Sequence, residues 1–532
     1  MSRLSSLQGP VFDLVIIGGG IIGAGIARDA ALRGLAVALV EARDFGSGTT
    51  SGSTRLIHGG LRYLEMFDFG LVRLDLRERE TLLRIAPHLV RPLPFILPFY
   101  DASLWGRVRL RIGMGLYDLL SYDGSLPRHR VLSASELRRE EPALNPQGLQ
   151  GGALYYDAQA AMPERLCLEN ILDARRLGAS VHNHAAVVGA TIEVGRIAAL
   201  TVEDRLDGDR VTVKARLVVN ATGAWLDRVS AAIEPAREPR LRTTKGIHLA
   251  CPPTTSRALA VPSAVDGRLV FVIPWLGYSW IGTTDLDYED DPANVRATRA
   301  EVEYLKASVG RYVPALTDAP IHFTNAGVRA LIRQEGHESS VSRGHRIVDH
   351  ASAGLEGLVS IVGGKLTGYR GIAEEATDLV CRRLGHTGRS RTAELPLPGA
   401  VDLAAAGDGS DPLAMYGSRK RGVQALAAAD PSLAERLHPA YPEIRAQAVF
   451  AAREEACLRL SDFLCRRTRL AFTPDQGAGA IEPAADLLAR ELGWSAARRA
   501  EEVADYRSYV ARTQAYRHEG EPDWEGRNGR AR

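Results

Sequence analysis

The sequence predicts an α/β fold (α+β overall). A Rossmann-like domain is assembled from separated stretches, a mostly antiparallel β domain is inserted between them, and a helical domain follows. Three observations predict it. Residues 11–41, VFDLVIIGGGIIGAGIARDAALRGLAVALVE, run as strand, glycine turn, helix and strand. The same apolar run opening into glycine recurs at residues 217–225, LVVNATGAW, and at residues 358–369, LVSIVGGKLTGY. Residues 240–350 read as short strands joined by turns, whereas residues 418–512 are rich in alanine, leucine and arginine and read as helical.

The first stretch carries chemistry. Gly18, Gly20 and Gly23 form G-x-G-x-x-G between strand and helix. Gly18 allows the tight turn, Gly20 lets backbone approach a pyrophosphate, and Gly23 lets the helix pack closely on the strand. The helix N-terminus offers free N–H groups and a positive dipole end to the phosphates. Glu41, closing the second strand, stands where a carboxylate accepts hydrogen bonds from an adenosine ribose, which favours FAD or NAD over NADP. Only one such fingerprint is present, and the other glycine loops suit one large FAD better than a separate NAD.

Length and composition bound the rest. A chain of 532 residues exceeds what one core usually serves. Its 45% hydrophobic and 24% charged content is ordinary for a globular protein, and a net charge of +2 gives no drive toward nucleic acid. No apolar run reaches transmembrane length, and residues 1–10 lack a signal-peptide core. Cys167, Cys251, Cys381, Cys457 and Cys465 are scattered, which argues against a disulfide framework or zinc site and fits a reducing interior. Lysine occurs only five times, so Lys245 in TTKGIH and Lys365 in VGGKLTGYR look chosen for a compact ammonium.

In chain order, residues 42–65 mix glycine with Ser47, Thr49, Thr50, Ser51, Ser53 and Thr54, then His58, Arg62 and Tyr63. That composition reads as a ligand loop, a flexible linker being the alternative. Residues 64–89 form a helix with Leu71, Leu74, Leu82 and Leu83 on its core stripe, and the prolines of PLPFILPFY break the next segment into short strands. Residues 104–121, with Arg107, Arg109 and Arg111 among apolar residues, read either as a basic segment on an anionic membrane or as a packed helix with exposed arginines. Residues 136–145 are turn-rich. Residues 181–214 alternate like a β-meander. The expected division is 1–90, 151–235 and 351–385 for the FAD-binding domain and 91–150 with 236–350 for the substrate domain. A linker at 386–411, a helical cap at 412–520 and a tail at 521–532 complete it.

The blocks GGGIIGAGIARDAALRG, TRLIHGGLRYLE, VFVIPW with IGTTD, GVR and VGGKLTGYR together resemble the FAD-dependent glycerol-3-phosphate dehydrogenase family. The resemblance spans residues 11–370, and RRTRLAF from Arg466 resembles part of that family's C-terminal domain. It implies a fold of the glutathione-reductase/D-amino-acid-oxidase type and oxidation of glycerol 3-phosphate to dihydroxyacetone phosphate. It also implies electrons passed to a quinone and a protein peripheral on the inner face of the cytoplasmic membrane, the cytoplasm otherwise being the expected location. A homodimer is left open. In the sites it implies, Gly18, Gly20, Gly23, Glu41, Thr49, Thr50, Ser51, Val187, Gly223, Gly364, Lys365, Leu366 and Thr367 contact FAD. Arg62, Tyr63, Arg329, Arg343 and Lys365 contact substrate, and no metal is implied.

The residues agree with that substrate class. Oxidising a secondary alcohol requires a group to take the hydroxyl proton, and a phosphate tail requires fixed cations away from the reacting carbon. Arg329, His58 and His248 are the candidate catalytic residues, either histidine serving as base or hydrogen-bond partner. The chain departs from the family at Arg55, where lysine is common, and at Arg333, where an acidic run is usual. Two alternatives stay open: oxygen as electron acceptor, and an amine or amino-acid oxidase on the same fold.

Overall fold

The computed structural model describes residues 2–60, 68–100, 104–122, 124–234, 240–333, 344–403 and 411–519, with side chains described from residue 112 in the helix Leu104–Leu120. Arg62, Tyr63, Arg343 and the tail at 521–532 lie outside the described residues.

Two sheets organise the described chain. The first places Leu358–Gly363, Arg210–Asn220, Val11–Ile17, Val37–Val40 and Ser180–His182 side by side and parallel, with His345–Asp349 antiparallel at one edge. Parallel strands are covered on both faces, which explains their unbroken apolar sequence. Leu14 and Ile16 face a helix layer, while Val15 and Ile17 face the core under the meander Ala185–Glu193 and Arg196–Asp204. In the helix layer, Ile21–Leu32 packs so tightly on Tyr369–Leu384 that a Cβ on Gly25 would lie 3.1 Å from the side chains of Ala373 and Tyr369.

Among the described residues the second sheet holds ten strands. Leu241–Cys251 lies between Phe323–Ile332 and Tyr278–Gly282, and the sheet continues through Leu269–Trp275, Ala258–Pro262, Val90–Tyr100 and Leu149–Ala160 to Leu56–Ile57. This partition differs from the sequence expectation. Leu149–Ala160 and Leu56–Ile57, expected in the nucleotide-binding domain, pair in the second sheet, and His345–Asp349, expected in the substrate domain, pairs in the first. Strand partners are chosen across the chain, so sequence proximity to a fingerprint does not decide them.

Local corrections have similar causes. PLPFILPFY is part of one strand, Val90–Tyr100; Pro92, Pro94 and Pro98 share a parity, so their missing N–H groups fall on one edge. Residues 136–145 include most of the helix Ala134–Glu140, started by a Ser133–Glu136 capping box. In Phe69–Ile85 the buried stripe is rotated from expectation: Leu74 is exposed, while Asp75, Glu78 and Arg79 are buried beside Val72 and Leu76.

The helices Lys420–Ala429, Ala446–Glu454, Ile481–Leu492 and Ala496–Thr513 share their own apolar core. Buried ion pairs join this domain to the rest: Arg165 to Glu455 at 2.6 Å, and Arg419 to Glu169 at 3.2 Å. The described part of the expected linker is fixed too. Arg28 donates to the Leu395 carbonyl at 2.8 Å, and the Gly399 N–H donates to Glu169 at 2.7 Å.

Candidate active site

A cleft of about 400 Å³ runs along the carboxyl ends of the parallel strands and beneath the second sheet. One end is the glycine turn. Gly18 has φ +105°, and a Cβ there would meet the Ala221 carbonyl at 2.8 Å. A Cβ on Gly23 would fall 1.9 Å from the Gly18 oxygen, so both positions require glycine. Over Gly20, by contrast, a Cβ would find only Thr50 Oγ1, at 3.6 Å. The helix N-terminus is therefore open to the cleft. Thr50 accepts the Ile21 N–H at 3.1 Å, and Glu41 accepts the N–H groups of Gly19 at 2.7 Å and Arg43 at 2.9 Å. Burial pushes the Glu41 carboxyl above its ordinary pKa, while the Gly19 and Arg43 N–H groups pull it back.

The loop after Glu41 is anchored, which argues against the flexible-linker reading. Gly46 N–H donates to the Gly19 carbonyl at 2.9 Å, Thr49 Oγ1 donates to the Val328 carbonyl at 2.7 Å, and Asn325 donates to the Ser51 carbonyl at 3.1 Å. A Cβ on Gly52 would lie 2.6 Å from Gly327 Cα, so the loop crosses that strand backbone to backbone. Thr49 and Thr50 line the cleft with Val187 and Gly223. Ser51 turns inward, its hydroxyl donating to the Gly46 carbonyl at 2.8 Å, and Gly23 lies under the turn.

The cleft is lined further by Gly364, Lys365, Leu366, Thr367, His58 and Arg329. The His58 N–H donates to Thr367 Oγ1 at 3.1 Å, tying the two loops together. Arg329 donates to Asp285 at 3.0 Å, to Thr283 Oγ1 at 2.7 Å and to the Thr284 carbonyl at 3.1 Å. Lys365 Nζ donates to Asp75 at 2.8 Å. Two cations that line the cleft are thus each held by an acid. Sequence reasoning named neither acid as a site residue, although Asp285 stands in the IGTTD block. Asp75 carries a signal in retrospect: an acid on the apolar face of an amphipathic helix needs a partner.

His248 is placed differently from expectation. It is buried off the cleft wall, with Nε2 3.0 Å from Thr54 Oγ1 and its ring stacked on Trp280 at 5.0 Å. Burial, then the charges of Arg329 and Arg55, hold its pKa well below the ordinary histidine value. It is a neutral brace behind the loop.

Among the described residues, Asp44, His184 and Asp462 bring ligand atoms within 4.8 Å of one another. Arg466 and Arg467 already donate to these acids, so the cluster is charge-balanced without a cation. The cleft itself fits a flavin dinucleotide. It offers an open helix N-terminus for two phosphates, a carboxylate on backbone N–H groups at the ribose position, and a path past Gly223 to the glycine loop at 363–367.

Comparison with known proteins agrees with this geometry. A family model described as FAD dependent oxidoreductase matches residues 13–379, and one described as the C-terminal domain of alpha-glycerophosphate oxidase matches residues 390–499. The chain is 40% identical to a glycerol-3-phosphate dehydrogenase of Synechocystis sp., covering 96% of this chain and 98% of the relative. It is 38% identical to glycerol-3-phosphate dehydrogenase 2 of Mycobacterium tuberculosis, covering 94% and 88%. The structure of the Bacillus halodurans glycerol-3-phosphate dehydrogenase complexed with FAD superimposes with a TM-score of 0.79 at 28% identity, covering 97% and 98%. A glycine oxidase from Geobacillus kaustophilus shares the fold with a TM-score of 0.56 at 21% identity, covering 73% of this chain and 99% of that one.

Proposed function

The chain belongs to the FAD-dependent glycerol-3-phosphate dehydrogenase family, and we propose that it oxidises sn-glycerol 3-phosphate to dihydroxyacetone phosphate. The observation that carries this reading is that a dinucleotide cleft is lined by two cations, Arg329 and Lys365, each braced by a carboxylate. A small substrate with a dianionic tail and a neutral hydroxyl suits that lining.

FAD would be held by Gly18, Gly20, Glu41, Thr49, Thr50, Val187, Gly223 and residues 364–367, and when bound would supply the acceptor for the two electrons of the alcohol. The protein supplies the remainder. Lys365, with Arg62 and Arg343 as further candidates, anchors the phosphate as a point charge or fork. Arg329, held by Asp285 and Thr283, presents a fixed positive field to the substrate oxygen as charge develops there. His58 lines the cleft and is the proposed acceptor of the hydroxyl proton. Tyr63 completes the proposed substrate contacts.

The acceptor we propose is a quinone, reached by docking on a membrane surface. No helix among the described residues is long and apolar enough to cross a membrane. The helix Leu104–Leu120 instead exposes Ile112 by 66% and Leu119 by 65%, two turns apart on one face, and Phe69–Ile85, which packs on it, exposes Leu74 by 44%. With Arg107 and Arg109 on the same helix, such a face suits an anionic bilayer. The test is steady-state turnover of glycerol 3-phosphate with a soluble quinone analogue against dissolved oxygen. Dihydroxyacetone phosphate formed with quinone and little peroxide supports the reading; stoichiometric peroxide at the same rate replaces the quinone with oxygen.

A further inference from the structure

The segment RRTRLAF lies in the C-terminal domain, yet its side chains reach both ends of the loop 44–55 that borders the phosphate turn. At the first end, Asp44 is buried and accepts from Arg467 Nη1 at 2.7 Å, Arg467 Nη2 at 2.9 Å, Asn183 Nδ2 at 2.9 Å, and Arg466. Arg467 is fixed from behind by the Glu455 carbonyl at 2.9 and 3.1 Å, and Arg466 by Asp462 at 3.0 Å. At the second end, the Phe472 ring covers the Arg55 guanidinium at 5.0 Å. Arg55 lies against Trp275 at 4.7 Å on another side and holds Glu164 through both terminal nitrogens at 2.9 Å.

Between these ends are the contacts with the nucleotide turn: Gly46 N–H on the Gly19 carbonyl and Thr50 Oγ1 on the Ile21 N–H. A domain attached only for stability has no need to place its buried charges on this loop. Asp44 lies three residues from Glu41 and two from Gly46. A buried charge left without its partner is costly, so the loop and the C-terminal domain order each other.

We propose that the C-terminal domain is a cofactor lock, with Arg466, Arg467 and Phe472 as positioning residues that hold loop 44–55 in its FAD-binding conformation. The proposal rests on the FAD reading of the cleft. Coupling of this kind is reciprocal: FAD tightens the docking of the domain as much as the domain tightens FAD.

The experiment uses the full-length holoenzyme and the variants Arg467→Met, Asp44→Asn and their double. FAD release is followed by the rise in free-flavin fluorescence, and re-binding to the stripped protein is titrated the same way. Thermal unfolding is recorded alongside. Each single variant is expected to bind FAD about 5- to 150-fold more weakly, the usual range for coupled sites. The double is expected to be no worse than the weaker single, because the two residues act as one unit. Arg453→Ala, which removes an exposed pair with Glu491 in the same domain, is expected to leave FAD binding unchanged. Added FAD is expected to slow proteolysis within residues 412–519 of the stripped wild type.

Variants that melt earlier yet bind FAD as tightly as wild type would overturn the lock and leave a purely structural joint. If Arg467→Met does not fold, Phe472→Leu tests the other end by the same fluorescence readout, and unchanged release there overturns the proposal equally. A wild-type chain that takes up no flavin would instead overturn the FAD reading itself, and the proposal with it.

Discussion

Gly246 lies directly under the guanidinium of Arg329: a Cβ on this glycine would fall 2.2 Å from Arg329 Nη2 and 2.5 Å from Thr283 Oγ1. The two strands pair so that Arg329 is opposite Thr244, which puts Gly246 diagonally beside it on the same face. The glycine of TTKGIH therefore makes the floor on which the cleft arginine rests.

Gly246→Ala displaces that guanidinium without removing it. We expect kcat/KM to fall about 100-fold, the scale of a misplacement near 1 Å, with the flavin still bound. Unchanged kcat/KM in the alanine variant would separate Arg329 from the chemistry.

Arg329 and Lys365 are expected to fail differently. Arg329→Lys keeps the charge but loses the fork held by Asp285 and Thr283, so kcat falls about 100- to 1,000-fold. Lys365→Met removes an anchor that acts before and during reaction, so KM rises with a smaller change in kcat. Identical splits in the two variants would contradict these roles.

Acid sensitivity follows from two histidines, His88 buried and His182 half-buried. Burial lowers His88 to about 3 and His182 to about 4. Below about pH 6.5 the unfolded chain takes up these protons and the folded chain does not, so the stability present above pH 6.5 is lost as pH falls. Each such histidine contributes about 1.4 kcal/mol per pH unit in that window. Asp29, Glu41, Asp75 and Glu169, whose pKa values burial raises, act in the opposite sense. The test is therefore a difference: denaturant unfolding between pH 6.5 and 5 is expected to depend on pH by about one proton less in His88→Asn than in wild type. Equal slopes would mean that His88 already takes up its proton in the folded state.

For membrane docking, Ile112→Ser combined with Leu119→Ser is expected to weaken co-sedimentation with anionic vesicles by at least about tenfold, given the worth of two buried aliphatic side chains. Activity with a soluble acceptor is expected to stay unchanged. Undiminished sedimentation would move the contact elsewhere.

Much of the site was legible because its parts are local. The turn at Gly18, the acid at Glu41 and the loop at Gly364 each announce themselves within a dozen residues, and the structure brings all three to one cleft. What was illegible is non-local. The strand Leu149–Ala160 reads as apolar in any sheet, and only its register with Val90–Tyr100 assigns it. Asp75 and Asp285 find Lys365 and Arg329 across long sequence separations. His248 shares a strand face with Gly246 beneath Arg329, yet its stacking on Trp280 and its bond to Thr54 keep it off the cleft wall.

The central claim is that glycerol 3-phosphate delivers its electrons to a flavin held at Gly18 and Glu41. It is tested most directly by mixing the purified holoenzyme with glycerol 3-phosphate in the absence of oxygen and following the oxidised-flavin absorbance. Rapid bleaching is expected with glycerol 3-phosphate and none with glycine or proline. A bound flavin that stays oxidised with glycerol 3-phosphate but bleaches with an amino acid would contradict it.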